Sequence, residues 1–193
     1  MAKQLSFADE RMRKLDREDP EKENEMKMFI GVKMVTALAM TRLEYNVYRD
    51  WVLPSDENGA DEGFLVEYPN GSGGNHPDHE GYISWCPKAQ FEEANRACDA
   101  MPFGHAIEAA RKGLKIARAG WNGKGMFLFI SCPGSKEVAA ENIWSEHGRK
   151  FAEENGGTVT VLPYLLMKTA DDCIVPWLAS QTDMLADDWQ VVG

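Results

Sequence analysis

The sequence predicts an α+β fold made of two small units, the second a short helix packed on a mainly antiparallel sheet. Two observations lead there. Short apolar segments of strand type ("FLVEY", "GYISW", "LKIAR", "GMFLFIS", "WQVV") are separated by connections rich in Gly, Pro and Asn, the punctuation of turns and hairpins. The segments of helical spacing are brief and carry their own start or stop residues: Thr41 with Glu44, Pro87, and Gly113. A third observation sets the first boundary. Residues 1–27 mix both charge signs densely with few large apolar side chains, which reads as a solvated, disordered tail.

The first unit spans 28–99. "MKMFIGVKMVTALAM" (26–40) suits a strand through Phe29, Ile30, Val32 and Val35. Thr41 and Glu44 then form a capping-box signature for a short helix in "TRLEYNVYRDW". "LPSDENGADEG" (53–63) is loop by composition. "FLVEY" and "GYISW" are strands around the long connection "PNGSGGNHPDHE". Pro87 is placed to open the helix "KAQFEEANRACDAM", with Phe91, Ala94 and Cys98 on one face.

The second unit spans 101–193. "FGHAIEAARKG" places Phe103, Ile107 and Ala110 at helical spacing and ends at Gly113. "LKIAR" and "GMFLFIS" are strands on either side of "AGWNGK". The polar stretch 135–157 reads as helix, anchored by Val138, Ile143, Trp144 and Phe151. "TVTVLPYLLMKT", "CIVPWLA" and "WQVV" supply the remaining strands, and Pro163 and Pro176 push parts of them to edges or bulges.

Bulk properties exclude several functions. No apolar run approaches the roughly 18 residues that cross a bilayer, so no membrane partner is expected. The charged N-terminus has no apolar core of secretory type. Cys86, Cys98, Cys132 and Cys173 show no CxxC spacing and read as reduced thiols of a cytosolic protein. The net charge is −10, with no basic stripe, which argues against nucleic-acid polymers as partners. A small anionic ligand needs only a few local donors and remains compatible.

Two stretches invite a ligand. In "ARAGWNGKG", Asn122-Gly123 is a strong signal for a type I′ hairpin turn. The same glycines also suit a concave backbone nest beside Lys124, a geometry for phosphate, and Trp121 adds a flat face or a core side chain. The stretch fits neither GxxxxGK[ST] nor GxGxxG. In "PWLASQTDMLADDWQVV", Ser180, Thr182 and Asp183 open a single helical turn. Asp183, Asp187 and Asp188 are also placed to accept from sugar hydroxyls, with Trp189 as a second aromatic face. "HPDH" holds His76, Asp78 and His79, too few ligands for a closed metal site. No nucleophile–base spacing argues for covalent catalysis, and no cofactor is called for.

"FGHAIEAARKGLKIARAGWNGKGMFLFI" with "YLLMKTADDCIVPWLASQTDMLADDWQVV" resembles the Thoeris anti-defense 2 family of bacteriophage proteins, over about residues 101–193. The segment between the blocks, about 132–157, takes no part in the resemblance. The resemblance implies a sponge in the cytoplasm of the infected host, not an enzyme. Such a protein binds the glycocyclic ADP-ribose signal of Thoeris immunity, in some relatives also cyclic dinucleotides, and withholds it uncleaved. It further implies homotetramers with pockets between subunits, and binding through Trp121, Asn122, Gly123, Lys124, Thr182, Asp183, Met184 and Trp189. For such a ligand Lys124 and Arg118 serve the pyrophosphate, Trp121 or Trp189 the adenine, and Asp183 the hydroxyls. The family's compact members lack residues 28–99, which read as an accessory domain. Competing readings are a nucleotide hydrolase using His76, Asp78 or His79, and a protein-interaction module acting through the acidic N-terminal half.

Overall fold

A computed structural model describes Met28, residues 30–69 and residues 73–193, and the chain divides into units Met1–Gly31 and Val32–Gly193. The tail expected over 1–27 and the strand residue Phe29 lie outside the described residues. The fold below is that of Val32–Gly193.

The first sheet has the order β1-β2-β3, all antiparallel, from β1 (Thr36–Ala39), β2 (Gly63–Tyr68) and β3 (Tyr82–Pro87). Strand pairing begins only at Thr36, so Ile30, Val32 and Val35 precede β1 rather than forming it. Helix α1 (Arg42–Tyr48) follows β1 at once and has the expected capping box. The Thr41 amide donates to Glu44 Oε2 at 2.7 Å and the Glu44 amide donates to Thr41 Oγ1 at 3.3 Å. Tyr45 of α1 is buried against Leu65 and Ile83, the alternate-face residues that β2 and β3 turn inward.

Helix α2 (Lys88–Ala94) is shorter than its sequence suggests. Asn95 leaves the helix in an extended conformation, and its side chain donates to the Phe91 carbonyl at 2.9 Å. The Arg96 guanidinium donates to the carbonyls of Glu92, Glu93 and Asn95. These side chains satisfy the carbonyls that a further turn would have used. Ala97 and Cys98 therefore lie beyond the helix. The chain then runs beside the second sheet: Val191 donates to Cys98, and Met101 and Trp189 exchange both backbone bonds.

The second sheet has the order β10-β4-β5-β8-β9, from β4 (Lys115–Arg118), β5 (Phe127–Ser131), β8 (Tyr164–Lys168), β9 (Ile174–Pro176) and β10 (Trp189–Val192). Every pairing is antiparallel. Pro176 closes the edge strand β9, where a missing N–H costs the ladder nothing. Helix α3 (Phe103–Arg111) packs on this sheet. Its buried residues are Ala106, Ala109 and Ala110, which meet Ile116, Leu128 and Trp189. Small side chains let the helix approach closely, so Ile107 lies at the margin of the face. Gly113 ends the helix region at φ +89°.

Residues 135–157 differ most from expectation. They form β6 (Lys136–Ala139), a 3₁₀ turn (Ala140–Asn142) and α4 (Glu146–Glu154), and β6 pairs with β7 (Thr158–Val161). Local polarity resembles a helix, but pairing of Val138 with Val159 decides the structure of the first part. Ala140 and Ala152 are the buried residues, while Trp144 is 94% exposed and Phe151 55% exposed, so neither aromatic anchors it.

Candidate functional site

The β4–β5 loop and the turn before β10 come together because β4 and β10 pair in a register that sets Arg118 opposite Trp189. The turn is α5 (Gln181–Met184), capped by Ser180. Asp183 Oδ2 accepts from the Ser180 amide at 3.2 Å and from its hydroxyl at 2.7 Å, completing a second capping box.

Arg118 ties the two segments to each other. Its Nε donates to Asp188 Oδ1 at 2.7 Å and its Nη1 to Asp183 Oδ1 at 3.1 Å. Asp188 Oδ2 accepts from the Gly120 amide at 2.8 Å. A Cβ on Gly120 would stand 2.9 Å from that oxygen, so a larger residue there would press on the carboxylate that holds the loop. Arg118 and Asp183 are about 15% exposed at the side chain and Asp188 about a third, so the bonds are partly shielded from water.

The electrostatics follow from these contacts. Arg118 is held above its ordinary value by Asp188 and Asp183. The Asp188 carboxyl is held below the usual carboxylate range, chiefly by Arg118 and further by the Gly120 amide. Burial raises the Asp183 carboxyl, but the bonds from Ser180 and Arg118 outweigh it and the net direction is down. Arg118 and Asp183 are thus partners of each other in this chain. The pyrophosphate and hydroxyl roles drawn from sequence place both in direct contact with ligand; here their charged atoms already hold the clamp.

Beneath the loop lies an aromatic cluster. Trp121 meets Trp189 edge-on at 5.5 Å between ring centres and Trp177 at 6.3 Å, and Phe103 packs on Trp189 at 5.2 Å. Trp189 has no exposed surface, and its indole N–H donates to the Asp183 carbonyl at 2.9 Å. Trp189 therefore serves as the floor of the cluster, and half-buried Trp121 and Trp177 carry what aromatic surface it exposes. Trp177 belongs to the same cluster and has no role in the sequence reading, although it lies within the second quoted block.

The loop is not a type I′ turn. Neither Asn122 nor Gly123 has positive φ, and Gly125 alone does, at +67°. The hairpin closes through an eight-residue connection, 119–126, in which Gly123 is half-buried against Met126 and Ala170. Asn122 and Lys124 are exposed, as are Thr182 and Met184 on α5. Lys124 has no ion pair among the described residues. Lys168, at the end of β8, is a second cation here: its Nζ is 3.7 Å from where a Cβ on Gly125 would be, and 2.5 Å from Asp172. Its place follows from the β5–β8 register, Phe127 opposite Lys168, which nothing local in the sequence announces.

The histidines of "HPDH" are engaged elsewhere. His76 stacks on Tyr48 at 4.6 Å, and His79 is bonded to Glu67 at 3.0 Å and to the Tyr48 hydroxyl at 2.9 Å. Together they fasten the long β2–β3 connection to α1. All four cysteines are free thiols. No helix among the described residues is long and apolar enough to cross a membrane.

Residues 101–192 match the family described as the Thoeris anti-defense 2-like domain. The matched range holds the loop, α5 and the aromatic cluster, and runs through 132–157 as well. Over 93 residues the chain is 39% identical to Thoeris anti-defense 2 of Bacillus phage SP01, which covers 96% of that protein and 48% of this chain.

Proposed function

This chain belongs to the Thoeris anti-defense 2-like family, which supports a role against Thoeris defence, and from that premise we propose that it acts by sequestering a cyclic nucleotide signal of the glycocyclic ADP-ribose type without cleaving it. The observation that carries the reading is the clamp: Arg118, Asp183 and Asp188 fix the loop 119–126 against α5, giving a preordered surface on which Trp121, Asn122, Lys124, Thr182 and Met184 remain available. Preorganisation matters because the loop entropy is then spent in folding, not in binding.

In this reading Trp121 stacks on the base, worth roughly 1–3 kcal/mol. Lys124, which has no ion pair among the described residues, faces the pyrophosphate, where a charge-assisted hydrogen bond contributes about 1.5–3 kcal/mol. A second copy of the chain closes the pocket in a homotetramer, and slow release follows from the exclusion of water.

The test is calorimetric titration with glycocyclic ADP-ribose and with cyclic dinucleotides, followed by recovery of the bound ligand by heating and its identification by mass spectrometry. Tight binding with intact recovery is expected. Trp121→Leu weakens it by about 5- to 150-fold, the stacking term expressed as a ratio. A hydrolysed ligand, or no affinity for any of these nucleotides, refutes the sponge.

A further inference from the structure

A cavity of about 580 Å³ lies away from the loop, between α3 and the segments that precede the family-matched range. Its apolar wall includes Val32, Phe64, Phe91, Ala94, Met101 and Ala109. Phe64 and Phe91 stack at 4.2 Å and form a flat side. Alanine at Ala94 and Ala109 leaves space where a larger side chain would fill it. The volume falls within the usual range of small-molecule sites, roughly 300–1,000 Å³.

The charged groups at this cavity are mostly cationic: Lys33, Arg96 and Lys112 against one carboxylate, Glu92, with His105 and Asn95 as further polar side chains. This reverses the sign of a chain whose net charge is −10. Arg96 is partly used by the carbonyls at the end of α2, and Lys33 lies over the Tyr68 ring at 5.5 Å. His105 and Lys112 form no side-chain hydrogen bond or ion pair among the described residues. They stand seven residues apart, His105 in α3 and Lys112 at its C-terminal cap, with Ala109 between them, so two donors flank an apolar step.

We propose that this cavity binds an amphiphilic anion: an apolar chain or ring carrying one carboxylate or phosphate. The wall offers few hydrogen-bonding groups to read a base or sugar, which separates it from the nucleotide surface at the loop. The anionic head lies at His105 and Lys112, and the tail lies along Phe64, Phe91 and Ala94. Only α3, Met101 and Lys112 come from the matched range; the other wall is contributed by residues 32–98. The phage relative, 96% of which is covered by 93 matched residues, has no length for a counterpart of that wall. The additional residues thereby add a second site.

The test uses the full chain titrated with dodecanoate and dodecyl phosphate, with dodecanol and dodecyltrimethylammonium as uncharged and cationic controls. One saturable site is expected for the two anions, at least tenfold tighter than for either control. Lys112→Glu and Ala94→Trp each weaken dodecanoate at least tenfold, and Lys112→Glu leaves the nucleotide titration unchanged. Ala97→Phe fills the same space from outside α2 if Ala94→Trp disturbs the helix. No saturable binding, equal affinity for dodecanol, or wild-type affinity in the folded variants overturns the proposal. Because the nucleotide titration is run separately, failure here is distinct from failure of the sponge.

Discussion

Asp188→Asn is the sharpest perturbation of the clamp. The amide keeps the shape of the side chain, and its oxygen still accepts from Arg118 Nε. Its NH₂ then faces the Gly120 amide, donor against donor, where Asp188 Oδ2 accepts at 2.8 Å. One charge-assisted bond is lost, a contribution of about 1.5–3 kcal/mol, and partial exposure of Asp188 lowers this to about 1–2 kcal/mol. For a chain of this length about 1 kcal/mol moves the melting temperature by about 2–4 °C, so a fall of about 2–8 °C is expected. The assay is calorimetric melting of the wild type, Asp188→Asn, Arg118→Met and the double variant. The bond they share weakens from charge-assisted to neutral in Asp188→Asn, so a coupling of at least about 0.5 kcal/mol between the two positions is expected. Additive effects, or melting unchanged within 1 °C in the single variants, refute the clamp. The same pair of readouts separates the two roles of Arg118. A ligand donor gives lost nucleotide affinity with unchanged melting, whereas a clamp loses both.

Two further outcomes follow from the same geometry. Asp183 and Asp188 titrate below the usual carboxylate range in the folded chain, so their stabilisation is fully present above the unfolded value of about 3.9 and is lost as pH falls through the folded values. Tryptophan fluorescence from the Trp121–Trp189 cluster is therefore flat from pH 7 to 5 and changes only in stronger acid; a transition near pH 6 contradicts this assignment. Gly125, at φ +67°, tolerates Asn far better than a β-branched residue: Gly125→Val costs at least about 1–2 kcal/mol and Gly125→Asn less, read as the difference between their melting temperatures.

What the sequence disclosed was whatever is decided within a few residues. The capping box of Thr41 with Glu44 and the helical turn opened at Ser180, Thr182 and Asp183 are local patterns and formed as read, with Ser180 as the cap. The strands flanking "WNGKG" are local too. The failures lie where a distant partner decides. Arg118 and Asp183 are visible as polar residues in suggestive places, but they are 65 positions apart, and their pairing depends on the β4–β10 register. Trp189 and Trp121 look alike in sequence, yet the first is fully buried and the second is not, because β10 turns Trp189 under α3. Asn122-Gly123 has the composition of a tight turn, but an eight-residue connection held by Asp188 at Gly120 relieves the need for one. The expected helix over 135–157 yields to β6–β7 pairing for the same reason.

The charge balance of the clamp bears on which ligands the loop accepts. Two carboxylates beside a site for a pyrophosphate would each oppose it, at roughly 6 Å and an effective dielectric of about 20, by about 3 kcal/mol. Arg118 lies between them and offsets one of the two charges, while the bonds from Ser180 satisfy the other oxygen of Asp183. The guanidinium therefore works twice in the proposed mode: it orders the loop and it halves the negative charge of an acidic corner. Lys124, which has no ion pair among the described residues, then opposes the remaining negative charge, whereas Lys168 is already paired with Asp172. In the proposed mode Asp183 and Asp188 are satisfied internally before the ligand arrives, so a chain with ten more acidic than basic residues still offers Lys124 to an anion.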